Sequence, residues 1–201
     1  MSGLLLELVD KLCGAIVSLP LALIYVFLWD RQRAKRRWGW MTLLVLYLSA
    51  MYIVIGVPGI QYITWEPTIN WVPFRDFTPS NLRGMALNAV MFAPLGFLLP
   101  AYFEGFRRWN TTLAAGFATS LAIECIQLFT SRATDVDDLI MNTLGALAGF
   151  VVYLAFDKVT CGKLQLKDVD ARELPIFVIV MYLGRCLLFN YLGLMNLWLG
   201  Y

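Results

Sequence analysis

Residues 120–142 read SLAIECIQLFTSRATDVDDLIMN, and apolar sequence of helix length continues on both sides of them. The stretch places Glu124, Gln127, Arg132, Asp135, Asp137, Asp138 and Asn142 inside otherwise oily chain. A carboxylate inside a membrane-spanning segment costs roughly 2.5 to 3.5 kcal/mol on insertion scales, so such residues are retained where they face a cavity or a partner. Ser120, Glu124 and Gln127 fall at i, i+4 and i+7 and line one stripe of a helix. The chain then turns through TSRATDVDD and re-enters with Asp135, Asp138 and Asn142 at i, i+3 and i+7. Asp135 or Asp137 caps the second helix, because a side-chain oxygen accepts from the free N–H groups of a first turn. Capping accounts for one aspartate and leaves the others, with Asn142 one turn deeper, to be explained by a site.

The rest of the chain fits a hairpin set in hydrocarbon. Of 201 residues 60% are hydrophobic and 15% charged, with a mean hydropathy of +0.68, against about 45 to 50% apolar in soluble proteins. A spanning helix needs about 20 mostly apolar residues, and six stretches qualify: Cys13–Trp29, Trp40–Ile60, Met85–Phe103, Thr111–Phe129, Leu139–Phe156 and Ile176–Leu199. The expected fold is all-α, a polytopic transmembrane bundle of about six spans forming one domain over residues 1–201. Basic residues concentrate in the odd connections: Arg31, Arg33, Lys35, Arg36 and Arg37 in the first, Arg107 and Arg108 in the third, and Lys158, Lys163, Lys167 and Arg172 in the fifth. With basic loops kept in the cytoplasm, both termini and the even connections face outward. DRQRAKRR reads as a membrane stop signal, and no nucleic-acid partner is expected. The start, MSGLLLELVDKL, lacks a basic n-region and a cleavage pattern, so no removable signal peptide is read there.

Chemistry is constrained by what is missing. The chain has no histidine, which removes the usual zinc ligand and the usual triad base, and Cys13, Cys125, Cys161 and Cys186 form no paired motif. No metal and no cofactor are expected, and the thiols read as packing residues. Gly145 and Gly149 form a small-xxx-small pair that lets another helix approach, and Pro94 and Pro100 are expected to bend the third span. The second connection, Gln61–Leu82, holds three prolines with Trp65, Trp71, Phe74 and Phe77. It is longer than ordinary connections, which points to function, and it reads either as a lid or as an aromatic belt at headgroup level.

Counted from their spans' outer ends, Asn88, Glu124, Gln127, Asp138 and Asn142 come to a common depth in the outer third. Arg185 and Asn190 of the sixth span are added to this group, with Arg185 expected to reach toward Glu124. The bland alternative is that these groups only hydrogen-bond between helices, at well under 2 kcal/mol each.

Three blocks resemble the VanZ-like family of bacterial membrane proteins, named for a member associated with teicoplanin resistance. They are NWVPF with Asn70, Pro73 and Phe74; NAVMFAPLGFLLP with Asn88, Phe92, Pro94 and Gly96; and residues 120–150, with Ser, Glu and Gln, then Arg, an Asp-rich turn, and Asn followed by Gly. The resemblance covers about residues 40–156. It implies a multi-pass inner-membrane protein, linked in some members to lowered glycopeptide sensitivity, and no settled reaction. The positions it matches, Asn70, Asn88, Glu124, Gln127, Arg132, Asp135, Asp138 and Asn142, are the expected ligand-binding residues, and membrane lipids, a cell-wall precursor or a glycopeptide are the expected partners. Two other functions stay open. Glu124 beside Asp138 resembles a carboxylate pair suited to acid catalysis on a lipid-linked phosphate, with a divalent ion. A proton-coupled transporter is the other, though such sites usually sit near the midplane between repeats, and no repeat is visible.

Overall fold

The computed structural model describes residues 65, 68–75, 78–129 and 133–163, with scattered positions at 24, 39, 42–44, 46–48, 50 and 51. The chain divides into two compact units, Met1–Ile63 with Arg172–Tyr201, and Thr64–Ala171. In the first unit the described positions are helical, with Leu44, Leu48 and Met51 buried while Leu43 and Leu46 are exposed. The buried three fall at i, i+4 and i+7, one stripe of a helix. Beyond these positions the first, second and sixth expected spans, with Arg185 and Asn190, lie outside the described residues.

The second unit runs β1 (Ile69–Asn70), α1 (Pro79–Tyr102), a 3-10 turn (Glu104–Phe106), α2 (Trp109–Gln127), β2 (Thr134–Asp135) and α3 (Val136–Val159). It is mostly helical. Among the described helices α1 and α3, 24 residues each, are long and apolar enough to cross a membrane. The 19 residues of α2 are diluted by Asn110, Thr111, Thr112, Glu124 and Gln127 and fall short of that hydropathy. The described residues therefore carry two candidate spans where three were expected between Met85 and Phe156.

Backbone contact between α1 and α3 sets the frame. A Cβ at Gly145 would lie 2.1 Å from the carbonyl oxygen of Ala89, and one at Gly149 would lie 1.8 Å from that of Ala93. Residue numbers rise together across these contacts, so the two helices run parallel, with the expected small-xxx-small pair of α3 seated on Ala89 and Ala93 of α1. Gly96 meets Ala146 in the same seam. No side chain larger than hydrogen fits at such spacing, and the close approach gains dispersion contacts along the seam. Further along, Phe97 packs edge-on against Tyr153 at 6.3 Å and Phe156 at 5.8 Å. α1 continues through Pro94 and Pro100, whose missing N–H groups leave the carbonyls of Val90 and Gly96 without helical donors.

α2 runs antiparallel to both. Its entry is fixed by the tight turn after α1, where the buried Thr112 donates its hydroxyl to the Phe106 carbonyl at 2.6 Å. Gly116 admits the Ala146 methyl, and one turn further Asn142 Nδ2 of α3 donates to Ser120 Oγ at 2.9 Å, both side chains being buried. The start of α1, the end of α2 and the start of α3 thus gather at one end of the unit.

Candidate functional site

Local sequence dictates how each element arrives at that end. Thr78 caps α1, its Oγ1 accepting from Asn81 N at 3.3 Å, with Pro79 in the first turn. A threonine cap followed by proline is a strong helix start, and it begins α1 six residues before the apolar run that opens at Met85. Those extra turns carry Ser80, Asn81 and Gly84 beyond the oily seam. α3 is capped by Asp135, whose Oδ1 accepts from Asp137 N at 2.9 Å, so of the two aspartates read as caps it is Asp135 that takes the role. Asp137 and Asp138 sit in the first turn, where the partial positive charge of the helix N-terminus favours them.

The aspartates hold three separate pieces of chain. Asp138 Oδ1 accepts from Asn88 Nδ2 at 2.5 Å, which ties α3 to the third turn of α1. Asp135 Oδ2 accepts from Asn70 Nδ2 at 3.1 Å, and beside it β1 and β2 pair in parallel, Ile69 with Thr134 and Asn70 with Asp135. Thr134 N donates to the Thr68 carbonyl at 2.8 Å to extend that bridge. Asp137, 5% exposed, accepts on Oδ1 from the backbone N–H of Phe74 at 2.8 Å. Phe74 has a φ of +55°, a left-handed conformation that costs a non-glycine residue roughly 1 to 2 kcal/mol. A hydrogen bond to a charged group contributes about 1.5 to 3 kcal/mol, enough to hold the turn in that shape. The described part of the long second connection is therefore pinned to the Asp-rich turn as a strap, with Trp65 packed on Phe129 at 5.1 Å and Trp71 and Phe74 exposed.

Between strap, α1 and α3 lies a cavity of about 300 Å³, lined by Asn70, Ser80, Asn81, Gly84, Met85, Asn88, Asp135, Asp137 and Asp138. Of the residues expected to bind ligand, Asn70, Asn88, Asp135 and Asp138 line it. Glu124, Gln127 and Asn142 are buried and do not. Glu124 supports the wall from behind: its Oε2 accepts from Asp135 N at 3.0 Å and its carbonyl from Thr134 Oγ1 at 3.2 Å. Arg132 lies outside the described residues. The Glu124 carboxylate thus meets the backbone of Asp135, and that of Asp138 meets Asn88. Asn88 is nine residues into α1, about 13 Å at helical rise, whereas its partner Asp138 is in the first turn of α3. α1 overhangs α3, and the cavity sits under the overhang. Asp137, Ser80, Asn81 and Gly84 were missed as lining residues; the Thr-Pro start signal at Thr78–Pro79 was the clue that would have found the last three. Among the described residues no group of three or more His, Cys, Asp or Glu is placed to hold a metal ion.

A sequence model of the VanZ/LLP1 family matches residues 40–157. The chain is 36% identical over 91 residues to Protein VanZ of Enterococcus faecium, an alignment covering 44% of this chain and 53% of that protein. The chain thus spans about half the length of the curated relative it matches. No solved structure matches it.

Proposed function

The chain belongs to the VanZ/LLP1 family, and we propose that it is a multi-pass protein of the bacterial inner membrane whose cavity binds the polar part of an envelope-related molecule without transforming it. The observation that carries this reading is the composition of the cavity wall: apart from Gly84 and Met85, each lining side chain is a carboxylate, a carboxamide or a hydroxyl, at the end from which two long apolar helices depart. Ligand pockets for small molecules run from about 300 to 1,000 Å³, so this one, at about 300 Å³, suits a headgroup, a single sugar or an amino-acid unit. A whole glycopeptide is too large for it, and the polar portion of a lipid-linked cell-wall precursor is the better match in size. In this reading the even connections, and the cavity with them, face outward because the basic residues collect in the odd ones. The bundle has about six spans, and occupation of the cavity is how the protein contributes to lowered teicoplanin sensitivity.

Asn88 and Asp138 would orient the ligand from one wall and Asn70 and Asp135 from the other, with Glu124 keeping Asp135 in place. Arg132 belongs to this reading as the cation for a phosphate or carboxylate of the same ligand. The test is growth of a susceptible bacterium expressing the full chain at matched membrane abundance. The wild-type chain is expected to raise the inhibitory concentration of teicoplanin, and the Asn88→Ala/Asp138→Ala double variant to return it to that of the host. Full retention of protection by the double variant would remove the cavity from the function.

A further inference from the structure

Resting on the cavity reading above, we propose that the group this cavity selects is a primary ammonium, taken up by Asp137. Asp135 commits one oxygen to Asn70 and the other to the α3 cap. Asp137 commits only Oδ1, to Phe74 N–H; its other oxygen has no partner among the described residues, although the side chain is 5% exposed and forms part of the cavity wall. With one oxygen uncommitted at the cavity wall, the carboxylate can accept a charge-assisted hydrogen bond from a ligand donor, which is the stronger kind.

Charge points the same way. The N-termini of α1 and α3 bring roughly half an elementary charge each. Even with Asp138 left out, the two formal charges of Asp135 and Asp137 exceed that sum, so the described wall of the cavity is net negative. Arg75 and Arg83, the described cations nearest in sequence to the lining residues, are exposed and form no ion pair among the described residues. The remaining lining groups, Ser80 Oγ and the carboxamide oxygens of Asn81 and Asn88 among them, are acceptors suited to the other N–H bonds of an ammonium, which has three donors and no acceptor.

An ammonium reaches such a site either on a lipid headgroup or on a soluble sugar or peptide unit. The two sources are separated with the full 201-residue chain in phosphatidylcholine nanodiscs at pH 7. One arm measures retention of lysyl-phosphatidylglycerol against phosphatidylglycerol by native mass spectrometry. The other measures protection of the chain from hydrogen exchange by glucosamine against glucose. A preference of about tenfold or more for the amine in either matched pair, equivalent to about 1.4 kcal/mol, is expected and identifies the source. Asp137→Asn keeps an oxygen to accept from Phe74 N–H and removes the charge, and it is expected to abolish the preference. Glu104→Gln removes an equal charge at the opposite end, on an exposed residue, and is expected to leave it intact.

Equal retention of amine and non-amine probes, both lowered by Asn88→Ala, would overturn the ammonium assignment while leaving the cavity as the binding site. Indifference of every probe to Asn88→Ala and Asp137→Asn would overturn both.

Discussion

The two ends of the contact between α1 and α3 are made of opposite materials. Around Gly145 and Gly149 the helices meet backbone to backbone, with no room for a Cβ. Toward the start of α3 the hydrogen bond from Asn88 to Asp138 joins them, and beyond it lies a cavity. The seam fixes where the helices lie, whereas the carboxylates at the polar end hold the strap and line the cavity. Glycine has a different meaning at the two ends: Gly149 is a contact, whereas Gly84, with nothing within 4 Å of an added Cβ, is part of a cavity wall.

Substitutions at the seam should produce the largest effects. Gly149→Val is expected to lose about 3 kcal/mol or more, since overpacking typically costs 1 to 3 kcal/mol and here the clash is with main chain; thermal denaturation in detergent measures it, and a native-like melting temperature would break the contrast. Ser120→Ala leaves buried Asn142 Nδ2 without its acceptor and is expected to cost about 1 to 2 kcal/mol, read in the same way. Asn70→Ala removes the side-chain link between strap and Asp135; a loss of about 1 kcal/mol should appear as faster hydrogen exchange at Thr134, whose N–H is held by Thr68, with exchange in the seam unchanged. Gly84→Ala sits at the far end of the scale. Relief of glycine's helix penalty makes it neutral to about 1 kcal/mol stabilising, while its methyl narrows the cavity and weakens ligand binding. A variant both less stable and fully competent in binding would reverse the assignment of the two ends.

How much of this was legible in the sequence follows from the kind of signal each part leaves. Apolar runs located α1, α2 and α3, and the close approach of a helix at Gly145 and Gly149 was visible as spacing, without its partner or its direction. The start of α1 was not read correctly, because hydropathy discounts Pro79–Gly84 although Thr78 and Pro79 announce a helix. Losing those turns hid the overhang, and with it one cavity wall. Asn70, in a polar connection, was marked only by the family resemblance, whereas Asn88, Asp135 and Asp138 stood out because polar side chains beside oily sequence are costly. Glu124 was found for the same reason, yet its role behind the wall depends on how the turn closes, which no spacing reveals. The Asp137 bond to Phe74 N–H was beyond reach as well, since it joins residues 63 apart through a backbone group that any residue carries.

The strap has a consequence for how the protein is made. Asn70 and Asp135 are 65 positions apart, so the earlier segment leaves the ribosome well before its anchor exists. Until the Asp-rich turn at the start of α3 is in place, the Thr68–Phe74 segment lacks the partners that hold it here. The strap therefore docks only after its anchor is made, and a nascent chain stalled before Thr134 would lack both that anchor and the α3 wall of the cavity.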